Sequence, residues 1–399
     1  MLENKFPKGF LWGSATSAHQ VEGNNHNDWS EWEKSRQRVS YLKSMGRNPD
    51  EFISGRTCDH YNRFRADFDI AKSLGHNAHR FSIEWSRIEP EEGKFNEKEI
   101  EHYRDVIKAL RERGLEPFIT LWHWTIPLWV RDKGGVESKE FPKFFARFSK
   151  KMAEDFPEVK YWMTLNEPTS VIANSYFRGL WPPQKKSIYS VIRVYNVLAK
   201  AHKMAYFAIH EINPEAQVGF GNLMIDLEPF SLNLLDIFAS KFRDYWSNIY
   251  FLKLVGDLND YYALQYYFHL KISFPQRVRN ENQKISDMGW EIYPKGIYNL
   301  LKRLGKLKKP IFITENGIAD NIDKNRAQFI EEHLKWISKA GEEGVDIRGY
   351  FYWSLMDNFE WESGFGPRFG LVEIDYKTLE RKIRPSALAY KKIIESQKG

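Results

Sequence analysis

The chain has 399 residues, 42% hydrophobic and 16% aromatic, with a formal net charge of +6. That length fits two ordinary domains or one large barrel with long loops, and the apolar share is enough for a sizeable core. The 59 basic and 53 acidic residues are spread along the chain with no basic block or basic helix, which argues against nucleic acid or an anionic membrane as a partner.

Residues 1–9 lack a signal pattern, and no apolar run approaches the ~20 residues of a membrane span, so a soluble, cytoplasmic protein is expected. The first predicted strand covers 10–18 and leads to His19, Gln20 and a polar, aromatic loop ending at Trp32. Residues 34–56, with Gly, Pro, Asn and Ser, read as irregular. Cys58 is the sole cysteine, so no intrachain disulfide can form, and no histidine is placed to activate it; it reads as a small buried residue.

Strands are then predicted at 78–83, 117–121, 161–167, 217–222, 262–267, 310–315 and 349–354. Helices alternate with them at 59–74, 96–113, 141–155, 188–212, 232–254, 293–305 and 324–340, with a last one after Pro385. Glycines close several of them, as at Gly75, Gly114 and Gly341. Strand–helix repeated eight times, with no Gly-rich phosphate loop and no composition break, argues for one (β/α)8 barrel over residues 1–399. A plain barrel needs ~250 residues, so the surplus lies in long loops, placed after strands one, four, five, six and eight.

Function in such a barrel sits where strands end. The polar and aromatic clusters of this chain follow its strands: His19-Gln20, Arg80, His123-Trp124, Asn166-Glu167, Tyr267, Glu315 and Trp353. Glu167 and Glu315 share a grammar, an apolar run ending in a carboxylate before a turn former. One such Glu reads as a salt-bridge partner or helix cap; two of them, on strands four and seven, suit the cleavage of a glycosidic bond. One carboxylic acid protonates the departing oxygen, and a second carboxylate attacks the anomeric carbon or activates water. Arg80 and Tyr267 end strands facing the same mouth and are expected beside Glu315, favouring its ionised form; Glu167 has no cation in its motif and is expected to keep its proton. Glu360 is assigned to substrate binding, and Glu22, Glu84 and Asp357 to scaffold hydrogen bonds. No Cys or carboxylate set has zinc spacing, so no metal is expected.

The segments Phe10–Gly23, Arg80–Arg87, Leu121–Trp124, Thr164–Pro168, Ile313–Gly317 and Trp353–Trp361 together resemble glycoside hydrolase family 1, the β-glucosidase and β-galactosidase family. The likeness runs from about residue 6 to 390. It implies a retaining exo-β-glycosidase that needs no cofactor and acts on β-linked oligosaccharides or aryl and alkyl β-glycosides, with Glu167 as acid/base and Glu315 as nucleophile. It further implies that Gln20, His123, Asn166, Glu360 and Trp361 bind the terminal sugar, that Trp353 lies under it, and that Arg80 and Tyr267 support the nucleophile. A transglycosylase of the same fold and a non-catalytic sugar-binding barrel are the rival readings; the latter normally loses one Glu. Two departures stand out: Gln265 where the family commonly has Asn, and a connection around 223–260 that is short for the family, implying an altered aglycone side. The expected Lys and Tyr positions of phospho-sugar hydrolases are Pro367 and Phe369, which favours an unphosphorylated substrate, with Arg368 beside them.

Overall fold

In a computed structural model that describes residues 6–281 and 283–397, eight parallel strands close into a barrel. The strands are β1 (Leu11–Ala15), β2 (Ala78–Ser82), β3 (Glu116–Trp122), β4 (Tyr161–Asn166), β5 (Gln217–Leu223), β6 (Tyr262–Gln265), β7 (Ile311–Asn316) and β8 (Ile347–Trp353). Each pairs with its sequence neighbours, and β1 pairs with β8 to close the ring. The expected first strand is shorter than read: residues Ala18–Val21 already form a helical turn that brings His19 and Gln20 over the mouth.

The barrel is filled rather than hollow. Phe118 meets Tyr261, Phe312 and Phe351 edge to face at ring separations of 5.5, 5.5 and 5.2 Å, with Ala78, Met163 and Ala263 in the same cluster. This plug leaves only the C-terminal strand ends open to substrate. Outside, helices cover the strands, and Phe141–Asp155 against Ile188–Ile212 is the most extensive of these helix pairs.

The helices fall where periodicity places them, with one interruption: the run expected at 232–254 is Leu234–Asp244, a π-type turn over Tyr245–Ile249, and Tyr250–Val255. The stretch 34–56, read as irregular, instead holds a helix at Arg36–Ser44, whose N-cap Ser35 accepts a hydrogen bond from the Arg38 amide. Only Arg38 and Leu42 of that helix are buried, so it carries almost no apolar stripe to betray it. Also unforeseen is a small sheet of Asp226–Pro229, His269–Ser273 and Arg277–Val278, joining the loops after β5 and β6.

Gly317 lies past Glu315 where β7 meets the end of β8. A Cβ there would fall 1.9 Å from the carbonyl oxygen of Trp353. Gly317→Ala is therefore expected to push these two strand ends apart and cost about 1–3 kcal/mol. A lowered midpoint of thermal unfolding, with weaker activity, checks it.

Candidate active site

Both candidate carboxylates depend on a break in strand alternation. Met163 and Phe312 point into the barrel plug. Strict alternation would turn residues three further on, Asn166 and Glu315, outward to the helices. The pairing register shifts between Met163 and Asn166 on β4 and between Ile313 and Glu315 on β7. These bulges return the strand ends to the mouth. The two glutamates are not equivalent, contrary to their shared grammar in the sequence. Glu315 is inside β7, whereas Glu167 lies one residue past β4 with a left-handed φ of 42°. Trp124 and Trp361 are also left-handed, at 75° and 52°. Such conformations are costly for non-glycine residues and persist where the surroundings enforce them.

Arg80 on β2 is fully buried, and four of the five N–H groups of its guanidinium have acceptors. Nη1 donates to Glu315 Oε1 at 2.5 Å and to the Thr314 carbonyl at 3.1 Å. Nη2 donates to Asn166 Oδ1 at 2.7 Å and Nε to Thr120 Oγ1 at 3.0 Å. Gln265 Nε2 bridges Glu315 Oε1 and Asn166 Oδ1 at 2.8 and 2.7 Å. The Tyr267 hydroxyl donates to Glu315 Oε2 at 2.5 Å. Burial and the neighbouring carboxylates hold that phenol well above its usual range, so it stays a donor. Glu315 thus receives an arginine, an amide and a phenol.

Glu167 has a different environment. Among the described residues its one side-chain donor is Ser170 Oγ, at 2.8 Å from Oε2. Burial, then the charge of Glu315, raises its pKa from 4.5 to about 8. One carboxyl is held as an acceptor by a cation, and the other keeps its proton near neutral pH.

Around them stand the expected sugar-binding candidates. Asn166 Nδ2 lies 3.2 Å from His123 Nε2, and burial holds this imidazole neutral. The His123 ring lies near parallel to both Trp353 and Trp361, with centroids 5.9 Å from each. Trp353 Nε1 donates to Glu360 Oε1 at 3.3 Å, and burial raises Glu360 to about 8. Gln20 is buried and tied to the loop after β8: its amide nitrogen donates to Asn358 Oδ1 and the Phe359 carbonyl, both at 2.9 Å. All ten predicted site residues therefore gather at one mouth. Among the described residues, no group of three His, Cys, Asp or Glu side chains could hold a metal ion.

The family model for glycosyl hydrolase family 1 matches residues 2–268 and 267–399. This chain belongs to glycosyl hydrolase family 1. It is similar to β-glucosidase A of Thermotoga maritima, at 34% identity over 99% of each chain. That alignment runs over 452 positions against a chain of 399, so this chain is the shorter one. A solved β-glycosidase from Pyrococcus horikoshii is similar at 39% identity with a TM-score of 0.90, covering 98% of this chain and 95% of its own. A solved Thermotoga maritima β-glucosidase in complex with glucoimidazole gives a TM-score of 0.92 at 32% identity, covering 98% and 99%.

Within this family-1 site, the remaining carboxylates have structural partners. Glu22 accepts from Arg87 at 2.9 Å and Tyr103 at 2.7 Å, Glu84 from Thr125, Ser86 and Asn27, and Asp357 from both arms of Arg384. Arg368 is likewise committed, donating to Asp357 and the Ile374 carbonyl and lying over the Tyr376 ring. Residue motifs did not single out Ser170 or Thr120. Ser170 follows Glu167 by three positions at a helix start, a spacing that could have marked it.

Arg80→Ala would leave Glu315 buried without its cation. A loss of about 3–5 kcal/mol in unfolding free energy at neutral pH is expected. Denaturant titration beside the wild type checks it.

Proposed function

We propose that the chain is a retaining exo-β-glycosidase that hydrolyses terminal non-reducing β-D-glucosyl residues, or β-D-galactosyl and fucosyl residues, through a covalent glycosyl-enzyme. The observation that carries this reading is the asymmetry of the two carboxylates: Glu315 receives Arg80, Gln265 and Tyr267, while Glu167 receives Ser170 alone and keeps its proton up to about pH 8.

Glu315 attacks the anomeric carbon as Glu167 protonates the departing oxygen, through an oxocarbenium-like transition state. The new glycosyl ester carries no charge on Glu315. That charge is one of the two causes raising Glu167, so esterification lowers the Glu167 pKa. Glu167, left as the carboxylate by that transfer, stays ionised; it takes a proton from water as the water oxygen attacks the anomeric carbon and the ester bond to Glu315 breaks, which restores the original configuration and frees the Glu315 carboxylate. Gln20, His123, Asn166, Glu360 and Trp361 hold the hydroxyls of the sugar, and Trp353 lies beneath it. The commitment of Arg368 to Asp357 and Ile374 supports an unphosphorylated sugar. The names of the similar proteins, a β-glucosidase and a β-glycosidase, support the substrate class.

Release of the aryl group from aryl β-glucoside, β-galactoside or β-fucoside is the first expectation; no release from any of them overturns the assignment. Glu315→Ala should abolish turnover, and added azide should restore part of it as the α-glycosyl azide. A β-azide would mean that the two roles are exchanged. Added acceptor alcohols separate hydrolysis from glycosyl transfer by their products.

For the wild type, kcat/KM should fall on the alkaline side through about pH 8, and this limb should vanish in Glu167→Gln with a dinitrophenyl leaving group. With a poor leaving group the same variant should lose about 10²–10⁴-fold. Stability gives an independent reading. The folded pKa of Glu167 lies above its ordinary value of 4.5, so folding favours the protonated form. The resulting stability is complete below pH 4.5 and is lost as pH rises towards about 8. Glu167→Gln should therefore unfold at a higher temperature than wild type at pH 8, with the gap closing by pH 4.5.

A further inference from the structure

The helix Leu234–Asp244 is turned inside out. Its buried residues are Asp236, Ala239 and Ser240. The large apolar ones face solvent: Leu234 is 82% exposed, Leu235 57%, Phe238 61% and Phe242 50%. Leu234, Phe238 and Phe242 recur at a spacing of four, so they form one stripe. Leu232, 90% exposed, leads into it. The tip of the adjacent small sheet extends the stripe sideways: the Phe274 amide donates to Asp236 Oδ1 at 2.9 Å, and Gln276 Nε2 to the Ala239 carbonyl at 3.0 Å. Phe274 is therefore held beside the helix, 49% exposed. Isolated exposed apolar residues are ordinary; a continuous apolar stripe marks a surface that meets something apolar.

The unpaired charge of the helix and of the sheet tip is cationic. Lys241 is exposed on the helix, and Arg277 and Arg279 lie on or beside the sheet tip; among the described residues none of the three forms an ion pair, while Arg243, seven positions from Asp236, lies on the inward side of the helix. The acids of the helix are spoken for. Asp236 is turned inward to Ser231 and the Phe274 amide, and Asp244 is paired with Arg303. Arg178, from the loop after β4, stands near enough to Arg243 for the two to repel.

We infer that this face docks on an anionic lipid bilayer. An amphipathic helix lying in the interface plane buries its apolar side among acyl chains and sets its cations at the headgroups, which is the distribution seen here. A second copy of the chain fits worse, because a two-fold interface would set these unpaired cations against themselves. The association is peripheral; no helix among the described residues is long and apolar enough to cross a membrane. The helix follows β5, whose end faces the catalytic mouth, so docking would bring that mouth beside the lipid surface. Spread along the sequence, these cations form no block; the fold gathers residues 230–243 with 274–279.

The test is co-sedimentation of the full chain with vesicles of phosphatidylcholine alone and of phosphatidylcholine mixed with phosphatidylglycerol. Wild type should pellet with the mixed vesicles and be released by high salt. Leu234→Ser with Leu235→Ser and Phe238→Ser should abolish pelleting while aryl β-glycoside turnover stays unchanged, which also shows that the variant is folded. Lys241→Glu with Arg277→Glu and Arg279→Glu should weaken binding on the order of 100-fold. Absence of wild-type binding to the mixed vesicles overturns the inference, as does equal binding by the serine variant. A reversible dimer in sedimentation equilibrium that the serine variant loses, without vesicle binding, would assign the face to a second copy instead.

Discussion

The Arg80 guanidinium is the constraint on which the site depends. A buried cation is tolerable only when its charge is matched and its N–H groups are accepted. Arg80 has its charge matched by Glu315 and four of its five N–H groups accepted by groups from β3, β4 and β7: Thr120, Asn166, and Thr314 with Glu315. Four strands are thereby locked in mutual position by one side chain. The strands must bring the right atoms to it, which explains the register shifts on β4 and β7. Without them Asn166 and Glu315 would face the outer helices, and Arg80 would have no counter-charge.

The same hub creates the difference between the two carboxylates. Their burial is nearly equal, at 5% and 4% exposed, so desolvation alone cannot separate them. The donors separate them. Arg80, Gln265 and Tyr267 all reach Glu315, and each proton committed there is withheld from Glu167. The charge kept on Glu315 then acts back on Glu167 and retains its proton. Gln265 joins this arrangement by spanning from Glu315 to Asn166. Its reach leaves no room beneath it: a Cβ on Gly221 would come within 2.9 Å of Gln265 Nε2 and 3.0 Å of Asn166 Oδ1. The longer amide is accommodated by a glycine on the neighbouring strand.

Much of this was legible in the sequence because barrel strands end where their polar residues begin. Arg80, Glu167, Tyr267 and Glu315 stand out against apolar runs, and charge logic alone pairs Arg80 with Glu315. The bulges were not legible. Thr164, Leu165 and Thr314 are ordinary strand residues, and a one-residue offset leaves no trace in composition. The helix at Arg36–Ser44 was hidden for a related reason, since it buries only two of its residues and so shows no periodic face. Backbone strain at Trp124, Glu167 and Trp361 is likewise a product of packing around the mouth rather than of those residue types.

The helix Leu234–Asp244 shows the complementary limit. Its periodicity was read correctly as a helix, yet the period says only that one face is apolar, never which way that face turns. In the barrel helix Lys295–Gly305 the apolar residues Ile297, Leu300, Leu301 and Leu304 are the buried ones. In Leu234–Asp244 the buried set is polar or small, because Asp236 is drawn inward to the Phe274 amide and Ser231 hydroxyl. That inward anchor fixes the rotation of the helix. With Asp236 inside, Leu234 and Phe238, each two positions away and about 200° around the helix axis, are driven to the outside. A carboxylate that ties the helix to the neighbouring sheet thus commits an apolar stripe to solvent, and the connection after β5 becomes an outward-facing surface.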